Sequence, residues 1–509
     1  MDNYTSYWMV SAETPDHPPL TEDITVDVAV VGAGIAGLSI ASELARTGRS
    51  VALLEAGAVA AGVTGGTTAK VSVLHGAIYH HLAEKLGPDT AEAYATSQTL
   101  AMEHVAATTE RLGVVDCELE RQPAFVYTES ADDVDMLRRE ADAARRAGLA
   151  ATFTQDTGLP FPVAGAVRVE DQLVFHPRKY LRAVADEYVT QGGLLFEHTR
   201  VTDLHEGSPC VVTTEAGHRV TARDVVVATH YPIFDRAMMF SRLTPKREFA
   251  IAGVVEESAD PRAMYVSTSK DTRSLRGAPY EGGRLLIATG SPFTPGDSKA
   301  PQQLEQLKGW LTDRFPVDGV RFVWAAQDNM SGDQVPFIGP LHPGAKHAWV
   351  ATGFNAWGMT SGVLSSLLLR DLVDGRPQPW ARIYDPRRVH PALEAKTVVS
   401  SGARSVAGLA GNAGARLKAK LGRVPSADEL APGQAAIVSD SEGEWATYVD
   451  EDGVRHSVSP TCTHMGCLVS FNGVEKAWEC PCHGSRFGLD GAVLQGPATR
   501  PLRRHKNDE

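Results

Sequence analysis

Between Thr25 and Gly57 the chain reads TVDVAVVGAGIAGLSIASELARTGRSVALLEAG. Val26, Val28, Val30 and Val31 form a short β-branched run that predicts a strand. Gly32, Gly34 and Gly37 make a tight turn, Leu38 to Arg46 reads as a helix closed by Gly48, and Ser50 to Leu54 is a second strand ending at Glu55. This is a complete βαβ unit, which implies a parallel sheet flanked by helices. A glycine triplet alone would be weak evidence, because 47 of the 509 residues are glycine, about 9% against a usual ~7%. Here the triplet follows a strand, opens a helix and is trailed by an acidic residue 18 positions after Gly37. Gly32 permits the turn, and Gly34 lets the backbone approach a pyrophosphate, with Ile35 and Ala36 beside it. Gly37 allows close helix–strand packing, and the helix N-terminus stabilises negative charge. Glu55 is placed to accept hydrogen bonds from ribose hydroxyls, which disfavours a 2′-phosphate.

At roughly 150 residues per domain, 509 residues suggest about three folding units. The 62 acidic residues against 49 basic ones leave a formal net charge of −13. No long basic run breaks that balance, so neither nucleic acid nor an anionic membrane is an expected partner. The first residues, MDNYTSYWMVSAETPDHPP, lack a basic region followed by an apolar stretch, and the longest apolar stretch, Val28 to Ala41, is broken by three glycines. A cytoplasmic location is the expectation.

After Glu55 comes AGAVAAGVTGGTTAKVSVLHG, a loop of small and hydroxyl-bearing residues able to wrap a long cofactor. Ala56, Thr67 and Thr68 of this loop, and Val201 further on, join the candidate cofactor contacts. Here the chain resembles the D-amino-acid-oxidase-like superfamily of FAD enzymes. Three further stretches fit: Asp224 to Thr229, Ser274 to Arg276 with Leu285 to Gly290, and WVATGFNAWGMTSG from Trp349 to Gly362. The resemblance spans most of residues 24–390. It implies FAD as the cofactor, Ala228 on the strand beneath the adenine side, and Gly353, Phe354, Asn355, Trp357, Met359 and Thr360 as flavin neighbours. Gly408-Leu-Ala-Gly411-Asn-Ala-Gly414 has the wrong spacing for a second nucleotide site and follows no strand.

Helices are expected at Asp89–Leu112, Ala131–Ala147 and Pro177–Gln191, and strands at Leu194–Phe196, Val225–Ala228, Arg284–Ala288 and Ala348–Ala351. The fold class is therefore α/β: a Rossmann-type FAD-binding domain with an inserted α+β substrate domain, together occupying 1–397. The FAD-binding pieces are placed at about 24–90, 165–241 and 336–390, and the substrate domain at about 90–165 and 242–335. Residues 398–425, rich in Ala, Gly and basic side chains, read as a partly helical linker. A small, strand-dominated, all-β unit follows at 426–509, of a size that a metal centre would help to hold folded.

Four of the six cysteines fall in that unit, as Cys462-Thr-His464-Met-Gly-Cys467 and Cys480-Pro-Cys482-His483-Gly-Ser485. Two boxes that each offer a Cys and a His suit a Rieske [2Fe–2S] centre, although a structural zinc site uses the same residue types. The order of the boxes, with Gly466, Pro481, Gly484 and the GPATRPL segment, closely resembles Rieske proteins. The resemblance implies that Cys462 and Cys480 bind one iron, that His464 and His483 bind the other, and that Cys467 and Cys482 form the disulfide of the cytochrome-bc-type branch. Burial could preserve that bond in a reducing compartment. It also gives Ser485 the role of a donor to a cluster sulfide. Phe487 stands where high-potential members carry a tyrosine donor, so the midpoint should lie well below the top of the Rieske range of about −150 to +300 mV.

The pairing of the two sites points to an FAD-dependent dehydrogenase acting on an amine or amino-acid-like substrate. Its electrons would pass through the cluster to an external carrier such as a ferredoxin or cytochrome. Lys70, His75 and Trp357 are the candidate catalytic groups, and Arg247 and Arg276 candidate clamps for a substrate carboxylate. His75 and His80 have a spacing suggestive of mononuclear iron, but position 72 is Ser where a carboxylate would be needed, which argues against an oxygenase. An oxidase with a structural cluster and a non-catalytic redox sensor are the alternatives.

Overall fold

The computed structural model describes residues 4–234, 236, 238–420 and 427–506. Strand Ile24–Val31 and helix Ile35–Ala45 form as the sequence predicts, with the helix starting three residues earlier than expected. Ile24–Val31 pairs in parallel with Val51–Leu54 on one side and Arg219–Val227 on the other. Leu194–Phe196 and Ala348–Thr352 extend the parallel sheet outward, and Phe337–Pro340 closes one edge antiparallel. Alternate residues of the central strand feed separate cores: Val28 and Val30 pack into one, Ala29 and Val31 into the other. A strand buried on both faces explains the unbroken apolar run.

A second, nine-stranded sheet runs Val320–Ser331, Leu243–Val255, Gly283–Phe293, Arg273–Tyr280, Met264–Ser267, Glu120–Thr128, Gly165–Val174 and Lys70–Val71, with Thr152–Thr154 paired to Gly165–Val174. Two of its strands were expected in the FAD-binding pieces. Lys70–Val71 instead pairs with Gly165–Val174, which pairs on its other side with Glu120–Thr128, because strand pairing and not chain order decides the layer. Conversely, helix Pro88–Leu112, expected in the inserted domain, packs on helix Gly358–Val373 of the FAD-binding layer.

The expected partly helical linker is helical throughout its described part: one helix runs Pro391–Lys420, and residues 421–425 lie outside the described residues. The C-terminal unit has a three-stranded sheet, Ala435–Asp440, Gly443–Val449 and Arg455–Val458, and a four-stranded one from Ser470 to Gln495. Its core gathers Tyr448, Trp478, Phe487 and all four of its cysteines.

Candidate active site and cluster site

A cavity of about 910 Å³ opens between the two large sheets, at the upper end of the usual range for small-molecule sites. Its walls bring together Gly32, Gly34, Ile35, Ala36, Glu55, Ala56, Thr67, Thr68, Val201, Ala228, Phe354 and Met359, which lie far apart in sequence. Lys70 and Trp357 also face it. The Glu55 carboxylate is pinned by the amides of Ala33 and Gly57, at 2.7 and 2.8 Å. Burial pushes its pKa up against these two bonds.

Four expected cofactor contacts stand behind the wall instead of on it. A Cβ on Gly37 would lie 1.7 Å from the Gly32 carbonyl oxygen, so its service is to helix packing. Gly353 takes a left-handed turn (φ +68°). Asn355 fastens that turn by accepting from the Ser331 amide and donating to the Gly353 carbonyl, at 2.9 and 2.8 Å. Thr360 Oγ1 accepts from the Ser72 amide and donates to the Ser72 carbonyl, tying the long helix to the loop after Glu55.

The candidate catalytic groups separate in the same way. Lys70 is buried and its Nζ donates to Ser274 Oγ; burial, then the nearby Arg276, lowers its pKa to about 7. His75 does not line the cavity. Its Nε2 donates to the Ser72 carbonyl and its Nδ1 accepts from the Tyr94 hydroxyl, both at 2.6 Å, and burial lowers its pKa to about 3. With both nitrogens engaged it has no free site for acid–base work. It stacks on Trp357 at 4.5 Å and 17°, which makes it a support for that ring.

Neither arginine is placed as a substrate clamp. Arg276 donates to the carbonyls of Thr68, Ala69, Phe175 and Gly277. Arg247, fully buried, pairs with Glu475 and Glu479 of the C-terminal domain. Residues that the sequence did not single out face the cavity in their place. Burial, then the Asp328 charge, raises Glu248 to about 7; burial raises Asp328 to about 6 and lowers His230 to about 4. Lys246, Glu248 and Ala250 line the cavity at every second residue of one strand. That alternation was visible in the sequence, but which face met a cavity was not.

In the C-terminal domain the two boxes fold as matching turns. Gly466 N donates to the Cys462 carbonyl and Gly484 N to the Cys480 carbonyl, at 3.0 and 2.9 Å. Cys467 and Cys482 form the disulfide, leaving Cys462 and Cys480 as free buried thiols. The Cys480 thiol hydrogen-bonds Cys462 and draws its pKa down to about 7. The imidazoles of His464 and His483 face each other edge-on at 5.0 Å. Nδ1 of His464 and both ring nitrogens of His483 are buried without a hydrogen-bond partner. Burial keeps both rings neutral, with pKa values of about 4 and 3. Two adjacent thiols and two neutral rings with orphaned nitrogens are the donor set a Rieske centre requires. Cys480 also lies close to both disulfide sulfurs, but those sulfurs are already spent on each other.

Residues 27–372 match the family FAD dependent oxidoreductase, and residues 421–506 match the Rieske [2Fe-2S] domain. The chain belongs to the FAD dependent oxidoreductase family. It is a flavoprotein with a C-terminal Rieske domain, and it binds FAD and a [2Fe–2S] cluster. The YhfW protein of Bacillus subtilis (strain 168), named for a Rieske 2Fe-2S iron-sulfur centre, is 32% identical over 501 residues, covering 98% of this chain and 97% of that one. The cytochrome b6-f complex iron-sulfur subunit 1 of Synechocystis is 43% identical over 102 residues, 18% of this chain and 57% of that protein. Among solved structures, glycine oxidase from Geobacillus kaustophilus superposes with a TM-score of 0.59 at 21% identity, over 72% of this chain and all of that one. L-proline dehydrogenase from P. horikoshii gives 0.60 at 17%, over 72% and 98%. At these identities the two structures establish the fold of the flavoprotein part. No helix among the described residues is long and apolar enough to cross a membrane.

The Rieske domain of this flavoprotein also walls the cavity, through Glu475, Arg486, Val493, Gln495, Gly496 and Ala498. Gln327 lines the cavity and reaches the turn at Gly484, and its amide is buried with neither polar atom partnered. A Cβ on Gly484 (φ +80°) would meet Gln327 Nε2 at 2.4 Å, so glycine is required where the 480–485 turn meets the flavoprotein part. The adjacent His483 ring packs edge-on against Phe240 and Tyr231, at 5.4 and 6.3 Å.

Ser485 Oγ accepts from the Ala498 amide at 3.0 Å and hydrogen-bonds Cys462, so its hydroxyl points to that thiol. Phe487 is fully buried and supplies no such donor. Protein-film voltammetry should therefore return a midpoint well below about +300 mV, and Phe487→Tyr should raise it. A wild-type value near that upper limit, or no rise in the variant, contradicts the assignment.

Proposed function

We propose that the protein oxidises the C–N bond of an amine or amino acid and releases the electrons singly, through its Rieske domain, to an external acceptor. The observation that carries this reading is the shared wall. His230 faces the flavin cavity, and its chain neighbour Tyr231 touches the ring of the iron ligand His483. The amine class is supported by the names of the fold relatives, glycine oxidase and L-proline dehydrogenase. Bound FAD supplies acceptance of a hydride, and the cluster supplies passage of one electron at a time.

The chain's own part is to hold and prepare the substrate. Trp357, backed by the stacked His75, gives the cavity a rigid aromatic face. Lys70 Nζ can take the proton of a substrate ammonium, because burial has already brought its pKa to about 7 and a neutral amine is what a hydride acceptor needs. Anaerobic stopped-flow with candidate amines and amino acids tests both points. Flavin bleaching should precede cluster bleaching, whereas fast peroxide formation in air with a silent cluster would favour the oxidase reading. The bleaching rate should rise as pH climbs through about 7, since the neutral lysine is the active form. Lys70→Met should slow bleaching about a hundredfold and abolish that inflection. An unchanged pH profile in the variant would remove Lys70 from the mechanism.

A further inference from the structure

The two histidine ligands do not share an environment. His483 is fully buried against Tyr231 and Phe240. His464 is half-buried, and its neighbour Met465 is an exposed large apolar side chain. One ligand thus faces the flavin part and the other faces outward.

Alongside the outward ligand runs a basic strip. Thr463, next to His464, donates through Oγ1 to the Arg500 carbonyl at 2.6 Å. The Arg503 carbonyl accepts from the Ser459 amide at 2.8 Å, and Arg504 bridges to Val458, so the strip is fixed to the cluster domain by its backbone. Arg500, Arg503, Arg504 and Lys506 are all exposed, and none forms an ion pair among the described residues. Arg503 also covers the Trp445 ring at 4.6 Å; of the acids on the adjoining turns, Asp440 is engaged by His505 at 2.9 Å and Asp490 Oδ1 accepts from the Ala492 amide at 3.0 Å. Four exposed cations without an ion pair among the described residues, the first of them beside the outward ligand, give this strip a positive field on a chain of net charge −13. Such a field selects and orients a partner of negative charge.

We infer that the external acceptor is an acidic one-electron carrier protein, which docks on the Arg500–Lys506 strip and over the exposed edge at His464 and Met465. The inference rests on the reading that electrons leave through the Rieske domain. One electron leaves the reduced cluster and reduces the carrier's metal by one unit; no bond is made or broken.

The test uses the full holoprotein, reduced with dithionite so that no substrate is involved, and two carriers of opposite charge. These are the acidic copper protein plastocyanin, reduced from Cu(II) to Cu(I), and the basic cytochrome c, reduced from Fe(III) to Fe(II). Plastocyanin should oxidise the cluster faster. Its advantage should collapse as ionic strength rises from about 0.01 M to about 1 M, which shortens the Debye length from ~30 to ~3 Å. In R500E/R504E/K506E, which spares Arg503 over Trp445, the plastocyanin rate should fall about tenfold or more, the cytochrome c rate should rise, and the cluster's EPR signal should stay. Calorimetric binding of plastocyanin to the oxidised holoprotein should be lost in the same variant and kept in R500K/R504K. Equal rates for the two carriers, or a charge-reversed variant that binds and reacts like wild type, would overturn the inference. So would a DNA duplex that binds the strip as tightly as plastocyanin does. Failure of substrate to bleach the flavin would leave these results untouched and count against the proposed function alone.

Discussion

Cys480→Ser should yield a protein that retains FAD, contains almost no iron, lacks the Rieske EPR and visible signals, and shows a new low-temperature unfolding step. Cys480 sits in the core of the C-terminal domain, with Cys462, Trp478 and Phe487 around it. A serine oxygen is a poor soft-metal ligand, so the iron is lost. Without it, three imidazole nitrogens on His464 and His483 remain buried and unpartnered. Each costs about 1–3 kcal/mol, and so small a domain has little stability in reserve. The FAD-binding turn belongs to a different core and should be unaffected. Cys462→Ser should do equal damage, which separates the assigned ligands from the alternative grouping of Cys480 with Cys467 and Cys482. Cys117→Ser, buried in the flavoprotein part, serves as the control with full iron. If either cluster variant kept two irons and a Rieske spectrum, the ligand set would be wrong.

The second large effect is expected at Arg247. Its guanidinium is fully buried and reaches Glu475 and, at 3.3 Å, Glu479, which also accepts from Arg486 at 3.1 Å and from the Gly296 amide at 2.7 Å. The cluster spans the junction between the flavoprotein part and the Rieske domain. Burial opposes ionisation of Glu479, but Arg247 and Arg486 hold its carboxyl below the usual glutamate value. Arg247→Met removes one cation and strands buried carboxylates, a loss of about 3–5 kcal/mol. The Rieske domain should then part from the cavity wall. Flavin bleaching by substrate should persist, while cluster bleaching slows by about a hundredfold or more, as 3 kcal/mol corresponds to over two decades in population. In wild type the contribution of Glu479 is full above the unfolded glutamate value of 4.5 and drains as pH falls below it, because the unfolded chain then binds more protons. Electron transfer from flavin to cluster that is as fast in the variant as in wild type would mean the ion cluster does not hold the two parts together.

Much of this molecule was legible before its fold. The turn at Gly32–Gly37 with Glu55, and the boxes at 462–467 and 480–485, are local patterns. Each sits within about thirty residues, and its spacing is set by the chemistry of a phosphate turn or an iron ligand. The sequence, with the family resemblances it carries, therefore pointed to the two cofactors and the fold class, and it singled out the residues proposed to hold the iron. Tertiary structure decided the rest. Arg247 meets Glu475 across 228 positions, and Arg276 reaches Ala69 across 207. No spacing rule foretells such partners, so two apparent substrate clamps became a domain junction and a backbone brace. Lys70 and His75 lie five positions apart, yet Lys70 faces the cavity from a strand and His75, in the loop that follows, supports its wall. The physical reason is common to all of them. Covalent spacing fixes which side chains can share a turn, whereas burial, partner and charge state are fixed by what packs on the far side, and that comes from distant parts of the chain.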